Sequence, residues 1–110
     1  MSGAITVDLR RQEEGLRQYI DRLASSIGER NIYCYPKLCE AAAFIEQSFL
    51  DTGYQPKRQE YQARGKSFAN IEAEITGQVY PQDIVIIGAH YDTARGSPGA
   101  NDNASGVAAL

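Results

Sequence analysis

An α/β fold is predicted by three features of the chain. Two stretches carry apolar residues at helical three-to-four spacing, and they are followed by stretches with the two-residue period of strands. The order is helix, helix, strand, strand, strand, and then the start of another helix. Third, Ile84-Val85-Ile86-Ile87 is a run of consecutive β-branched residues. Such a run cannot have one wet face, so it reads as a central strand buried on both sides.

The first helix spans residues 6–27, where Leu9, Leu16, Ile20, Leu23 and Ile27 form the stripe and charged residues lie between them. Gly28 is its stop. The connection 29–35 contains Asn31, Tyr33 and Tyr35, and the second helix starts at Pro36, a favoured first-turn residue. Its stripe is Leu38, Ala41, Ala42, Ile45 and Phe49, and Gly53 ends it after Asp51-Thr52. Both stripes are expected to cover a sheet. Tyr54 to Gln62 reads as an outer strand, with Pro56 tolerated near its start, and Arg64-Gly65-Lys66 as a turn. In the next strand Ile71, Ala73 and Ile75 face one way and Glu72 and Glu74 the other. That alternation makes the two glutamates a solvated face rather than general acids. Gly77 and Tyr80-Pro81-Gln82 turn the chain into the central strand, which Gly88 and Ala89 thin before it ends at His90.

Hydrophobic residues at 43% and charged residues at 23% are a globular composition, and one domain is the most that 110 residues suggest. A net charge of −3, with lysines and arginines scattered, gives no case for nucleic acid or an anionic membrane. No apolar run approaches the roughly 18 residues of a membrane span. The start Met1-Ser2-Gly3-Ala4-Ile5-Thr6 lacks a secretory pattern, so a cytoplasmic location is expected, secretion staying open if a leader was removed. Cys34 and Cys39, a C-x4-C pair, read as ordinary thiols without a functional role.

The chemistry is expected where the central strand ends. His90 is the single histidine, and side-chain alternation puts Asp92 on the same face. A short Gly/Pro/Ser loop brings the chain back to Asp102, at the mouth of a helix beginning near Asn103. Neutral imidazole and carboxylate oxygen suit a borderline metal such as zinc, so His90 and Asp102 are candidate ligands. Asp92 is better placed to hold the imidazole by a hydrogen bond that sets its tautomer. The bland readings are that H-x-D alone is a weak signal and that Asn101-Asp102-Asn103 is simple helix capping. The helix after Asn103 runs only about two turns to Leu110, and the apolar strand has no later strand to pair with. The chain is therefore expected to be the N-terminal part of a larger single domain, incomplete at its C-terminus, or a piece that hides its sheet edge in an oligomer.

The segment Ile87-Gly-Ala-His90-Tyr-Asp92-Thr, followed by Gly96-Ser-Pro-Gly99-Ala-Asn-Asp102-Asn-Ala-Ser-Gly-Val-Ala-Ala-Leu110, resembles the co-catalytic zinc aminopeptidases. That family includes bacterial leucyl aminopeptidase and aminopeptidase Y, with glutamate carboxypeptidase and glutaminyl cyclase as relatives. Weaker similarity runs upstream through Ile27-Gly28-Glu-Arg-Asn31, Ala41-Ala42, Thr52-Gly53-Tyr54 and Asn70-Ile71. The resemblance implies a three-layer sandwich with a mixed β-sheet, of which this chain would hold the N-terminal helices and the first three strands. It implies two zinc ions, His90 ligating one, Asp102 bridging both, and Asp92 orienting His90 as the candidate catalytic residue. It also implies a cis peptide after Asp102. Asn101 stands where the family often has Asp. The family's glutamate base, the adjacent glutamate ligand, a further acidic ligand and a histidine come later than Leu110. The implied activity is hydrolysis of N-terminal peptide bonds of a peptide or aminoacyl substrate by a zinc-activated water, with this 110-residue piece inert alone. Glutaminyl cyclisation and a non-catalytic interaction role are the alternatives.

Overall fold

The computed structural model describes residues 8–110. The first two residues of the predicted first helix, and the N-terminal stretch read for a secretory pattern, lie outside the described residues.

Helix α1, Leu9–Asp21, is capped by Asp8, whose carboxylate accepts from the Arg11 amide, and it widens into a π turn over Arg22–Ile27. Gly28 stops it at φ 79°, with its amide donating back to the Leu23 carbonyl. The positive φ there is one that glycine adopts without a Cβ clash. A short 3₁₀ turn, Ile32–Cys34, is capped by the Asn31 side chain, which accepts from the Tyr33 and Cys34 amides. Helix α2, Tyr35–Asp51, follows with Pro36 in its first turn and Gly53, at φ 91°, just past its end. Leu38, Ala41 and Ala42 are its buried residues.

Strands β1, Lys57–Ala63, and β2, Lys66–Glu72, pair antiparallel from Lys57↔Glu72 to Ala63↔Lys66. Their two-residue turn takes Arg64 and Gly65 to φ 49° and 74°, the twist that suits a tight hairpin. Helix α2 lies on this hairpin: the Tyr35 hydroxyl donates to the Ser67 carbonyl at 2.6 Å, and Arg58 meets Glu46 at 2.6 Å. After the loop that follows residue 72, a turn over Ala100–Ala104 leads into the short helix α3, Ser105–Ala109. The core joins Leu23, Ile27, Ala41 and Ala104, so it lies between the end of α1, α2 and the turn before α3.

Three expectations need correction. The stripe of the first helix does not cover a sheet: Leu23 and Ile27 pack on α2 and Ala104, while Leu9 is 73% exposed. The predicted strand at Ile71–Ile75 stops at Glu72, and Ile75 is exposed. The third and central strand is not formed. Among the described residues the sheet has two strands, and Ile84 to Ile87 are each at least 76% exposed. A β-branched run specifies an extended backbone locally, but a strand exists only when neighbours take its N–H and C=O groups. β1 and β2 pair with each other, and a groove of about 1220 Å³ lies between β2 and the run. With no third strand, neither a mixed sheet nor a third layer is formed by the described residues. Among them, no helix is long and apolar enough to cross a membrane.

Candidate active site around His90

Three devices hold the segment that carries His90. The Tyr91 hydroxyl donates to the Ala69 carbonyl of β2 at 2.6 Å. Thr93 is buried beside the 28–31 connection: its amide donates to the Arg30 carbonyl at 2.8 Å, and its hydroxyl oxygen accepts from the Arg30 amide at 3.1 Å. Glu29 reaches across the loop to accept from the Gly96 amide at 2.9 Å and from Asn31 at 3.1 Å. Those hydrogen bonds, the one from Gly96 first, hold the Glu29 carboxyl below its ordinary pKa.

Asp102 arrives from the other side of the same loop. Gly99 starts the turn at φ 61°, and a Cβ there would collide with the Thr93 methyl and lie 2.8 Å from the Asp102 carbonyl. Only a residue without a side chain lets the loop close this tightly. Ala104, two residues beyond Asp102, is fully buried and its amide donates to the Gly99 carbonyl at 3.0 Å. The Asp102–Asn103 peptide is cis. Asn103, not Asp102, serves the helix that follows: its side-chain oxygen accepts from the Gly106 amide at 3.2 Å. Capping therefore does not account for the Asp102 carboxylate.

That carboxylate faces the imidazole. Asp102 Oδ1 lies 2.9 Å from His90 Nε2, and Asp92 Oδ1 lies 3.1 Å from His90 Nδ1. The Asp92 carbonyl is 3.2 Å from the same Nδ1. The sequence-predicted trio is brought together in one line, carboxylate, imidazole, carboxylate, and it opens to solvent: His90 is 54% and Asp102 77% exposed at the side chain. Partial burial works to lower the His90 pKa. The hydrogen bonds to Asp92 and the negative charges of Asp92 and Asp102 outweigh it, and the net shift is upward.

A zinc ion binds imidazole nitrogen and carboxylate oxygen at about 2 Å, so two ligand atoms on one ion stand roughly 3 Å apart. The pair His90 Nε2 and Asp102 Oδ1, at 2.9 Å, fits as two of its donors, and Asp92 holds the far nitrogen in the manner of zinc-binding histidines. The fit extends no further: among the described residues no group of three or more His, Cys, Asp or Glu is placed to hold a metal. Cys34 and Cys39 are unpaired and lie outside the trio.

Residues 70–110, which contain the whole trio and the loop between its members, match the model of Peptidase family M28. The similarity to this family is carried by these residues. It is also 32% identical over 105 residues to an uncharacterised protein, YfbL, of Escherichia coli (strain K12). That alignment covers 88% of this chain and 32% of the relative, so the chain spans about a third of the length of the curated protein it matches. No solved structure matches. The family M28 match begins inside β2 and leaves out the 28–31 connection, yet that connection is what grips the loop from behind. The sequence reading assigned no role to Glu29, Arg30 or Thr93. The signals available were a cluster of polar side chains directly after a helix-ending glycine and the weaker similarity through Gly28-Glu29-Arg30-Asn31, neither of which says what they grip.

Proposed function

We propose that the chain is the N-terminal part of one zinc-dependent exopeptidase domain, an aminopeptidase, with His90 and Asp102 as zinc ligands. The observation that carries this reading is the carboxylate–imidazole–carboxylate line, Asp92–His90–Asp102, inside the stretch that matches a peptidase family. Bound zinc supplies a Lewis acid that acidifies water and polarises a peptide carbonyl. Asp92, on Nδ1, fixes the ring and its tautomer so that Nε2 is the nitrogen offered outward. Asp102 places an acceptor-only carboxylate against that nitrogen, on a turn anchored by the buried Ala104. The remaining donors of a site needing about four, together with the general base, are proposed to come from sequence outside the described residues. The same material is proposed to cover Ile84–Ile87 and fill the groove beside β2, which the threefold greater length of the relative leaves room for. A peptide or aminoacyl group is the proposed substrate, and association of copies through the bare run is the proposed behaviour of the chain alone.

An aminoacyl chromogenic substrate tests the reading on two preparations. Protein expressed from the full natural reading frame is expected to turn over, to lose activity on chelation, and to regain it with zinc. Asp92→Asn should cost about 10–100-fold in zinc affinity or activity, as partners of a ligating histidine do, and His90→Ala more. The isolated 110-residue chain is expected to show no turnover. Turnover by that chain alone, or full-length activity that survives both chelation and His90→Ala, refutes the proposal. Cyclisation of N-terminal glutamine in place of hydrolysis would move the assignment to a cyclase.

A further inference from the structure

The largest fully buried side chain is not apolar. Arg30, at 0% exposure, sits two residues after the glycine that stops the first helical segment, and its guanidinium points under the loop between His90 and Asp102. It donates to five backbone carbonyls. Nε meets Tyr91 O at 2.6 Å; Nη1 meets Pro98 O at 2.7 Å, Leu23 O at 3.1 Å and Gly28 O at 3.2 Å; Nη2 meets Gly99 O at 3.1 Å. No carboxylate is among these partners. A buried charge without a paired ion is costly unless its donors find acceptors, and here each of the three guanidinium nitrogens donates to at least one carbonyl. Burial lowers the Arg30 pKa and the charge of Asp92 opposes that, but a guanidinium stays protonated regardless.

The identity of the carbonyls gives the arrangement its meaning. Tyr91 stands between His90 and Asp92, on the descending limb of the loop. Pro98 and Gly99 stand on the returning limb, just ahead of Asp102. Leu23 and Gly28 belong to the end of the first helical segment. One rigid, planar group with donors on two sides thus ties both limbs to a common floor. The side chains that emerge from the tops of those limbs, His90 and Asp102, face each other at 2.9 Å. We propose that Arg30 is a positioning residue: by clamping Tyr91 O against Pro98 O and Gly99 O it sets the approach of His90 to Asp102. The role in metal binding rests on the function proposed above; the role in holding the loop does not. A lysine cannot replace it, since a single ammonium has three diverging donors and no planar fork. An apolar residue would take a donor from all five carbonyls, of which Leu23 O and Gly99 O would keep the amides of Gly28 and Ala104.

The test uses the 110-residue chain with Arg30→Lys and Arg30→Ala, with and without millimolar methylguanidinium. Amide hydrogen exchange is read at Thr93 and Ala104, whose amides bond to Arg30 O and Gly99 O, against Phe68 in the hairpin as an internal control. Binding of Co²⁺ is read by visible absorption, with His90→Ala as the blank. Loss of hydrogen bonds from a charged group predicts at least about tenfold faster exchange at Thr93 and Ala104 in Arg30→Lys, with Phe68 unchanged. Co²⁺ affinity should fall by a similar factor. Methylguanidinium should restore both in Arg30→Ala, where sodium and potassium do not; if that variant is unfolded, guanidinium-dependent refolding is the same result. The inference is overturned if Arg30→Lys matches the unsubstituted chain at these amides, or if methylguanidinium restores neither readout. Equal Co²⁺ binding by the unsubstituted chain and His90→Ala would sink the metal reading alone, and the exchange data would still decide on the clamp.

Discussion

Replacing Thr93 by valine removes one hydroxyl from the floor of the site and almost no volume. Thr93 is 6% exposed, and its oxygen accepts from the Arg30 amide at 3.1 Å and from the Asn31 side chain at 3.4 Å. Asn31 keeps its bond to Glu29, so its loss is small. The Arg30 amide is buried and the Thr93 hydroxyl is its acceptor, and leaving such a donor unpaired costs about 1–3 kcal/mol. The methyl that fits against Gly99 is retained in valine, so no cavity opens. The expected cost is therefore about 2 kcal/mol, which for a chain of this size lowers Tm by roughly 8–16 °C. Thr93→Ser provides the complement. It keeps the oxygen, loses only the methyl, and should cost about 0.8 kcal/mol, the worth of one buried methylene. Urea unfolding followed by circular dichroism, at constant slope, measures both. If valine equals threonine, or serine costs more than valine, the hydroxyl is not what joins the connection to the loop, and this account of the floor is wrong.

His90 titrates above its ordinary value of 6.5 because Asp92 and Asp102 favour the imidazolium. The linked stability is present in full below the unfolded pKa and is lost as pH rises through the raised one. As the single histidine, it gives one ring-proton titration by NMR; a midpoint at or below 6.5 contradicts the geometry, and Asp92→Asn should shift it down. Ile86→Lys places a charge in the bare run, where Ile86 is 89% exposed. It should reduce self-association in sedimentation velocity without lowering the unfolding midpoint, since charged residues on unpaired strands oppose edge-to-edge pairing. Glu46→Gln breaks the partly exposed contact with Arg58 that joins α2 to β1, and should cost no more than about 1 kcal/mol in urea unfolding. A larger loss would mean that the hairpin depends on this ion pair more than on the packing of Leu38 and Ala42 beneath it.

Local rules were enough for the two helices, the hairpin and the pairing of His90 with Asp92. Gly28 and Gly53 end helical segments because positive φ suits glycine, and Pro36 opens α2 because its missing N–H is free there anyway. Gly65, at φ 74°, turns the hairpin for the same conformational reason. The link from His90 to Asp92 is set by a two-residue separation, which any extended backbone turns into a same-side pair. Long-range partners are a different matter. Leu23 and Ile27 carry a helical stripe whether they cover a sheet or, as they do, meet Ala41 and Ala104. The run Ile84–Ile87 asks for neighbours on two sides, but hydrogen-bond partners are supplied by other segments, and no periodicity within the run says which. Arg30 is the sharpest case. From its neighbours it reads as one more loop arginine, and its burial beneath carbonyls 61 to 69 residues away is decided only when the two limbs of the loop close over it. Residue types and short spacings thus set the chemistry available at His90, Asp92 and Asp102. The 2.9 Å between the first and last of them was decided by tertiary closure, because an approach across twelve residues is set by what holds the loop, not by its sequence.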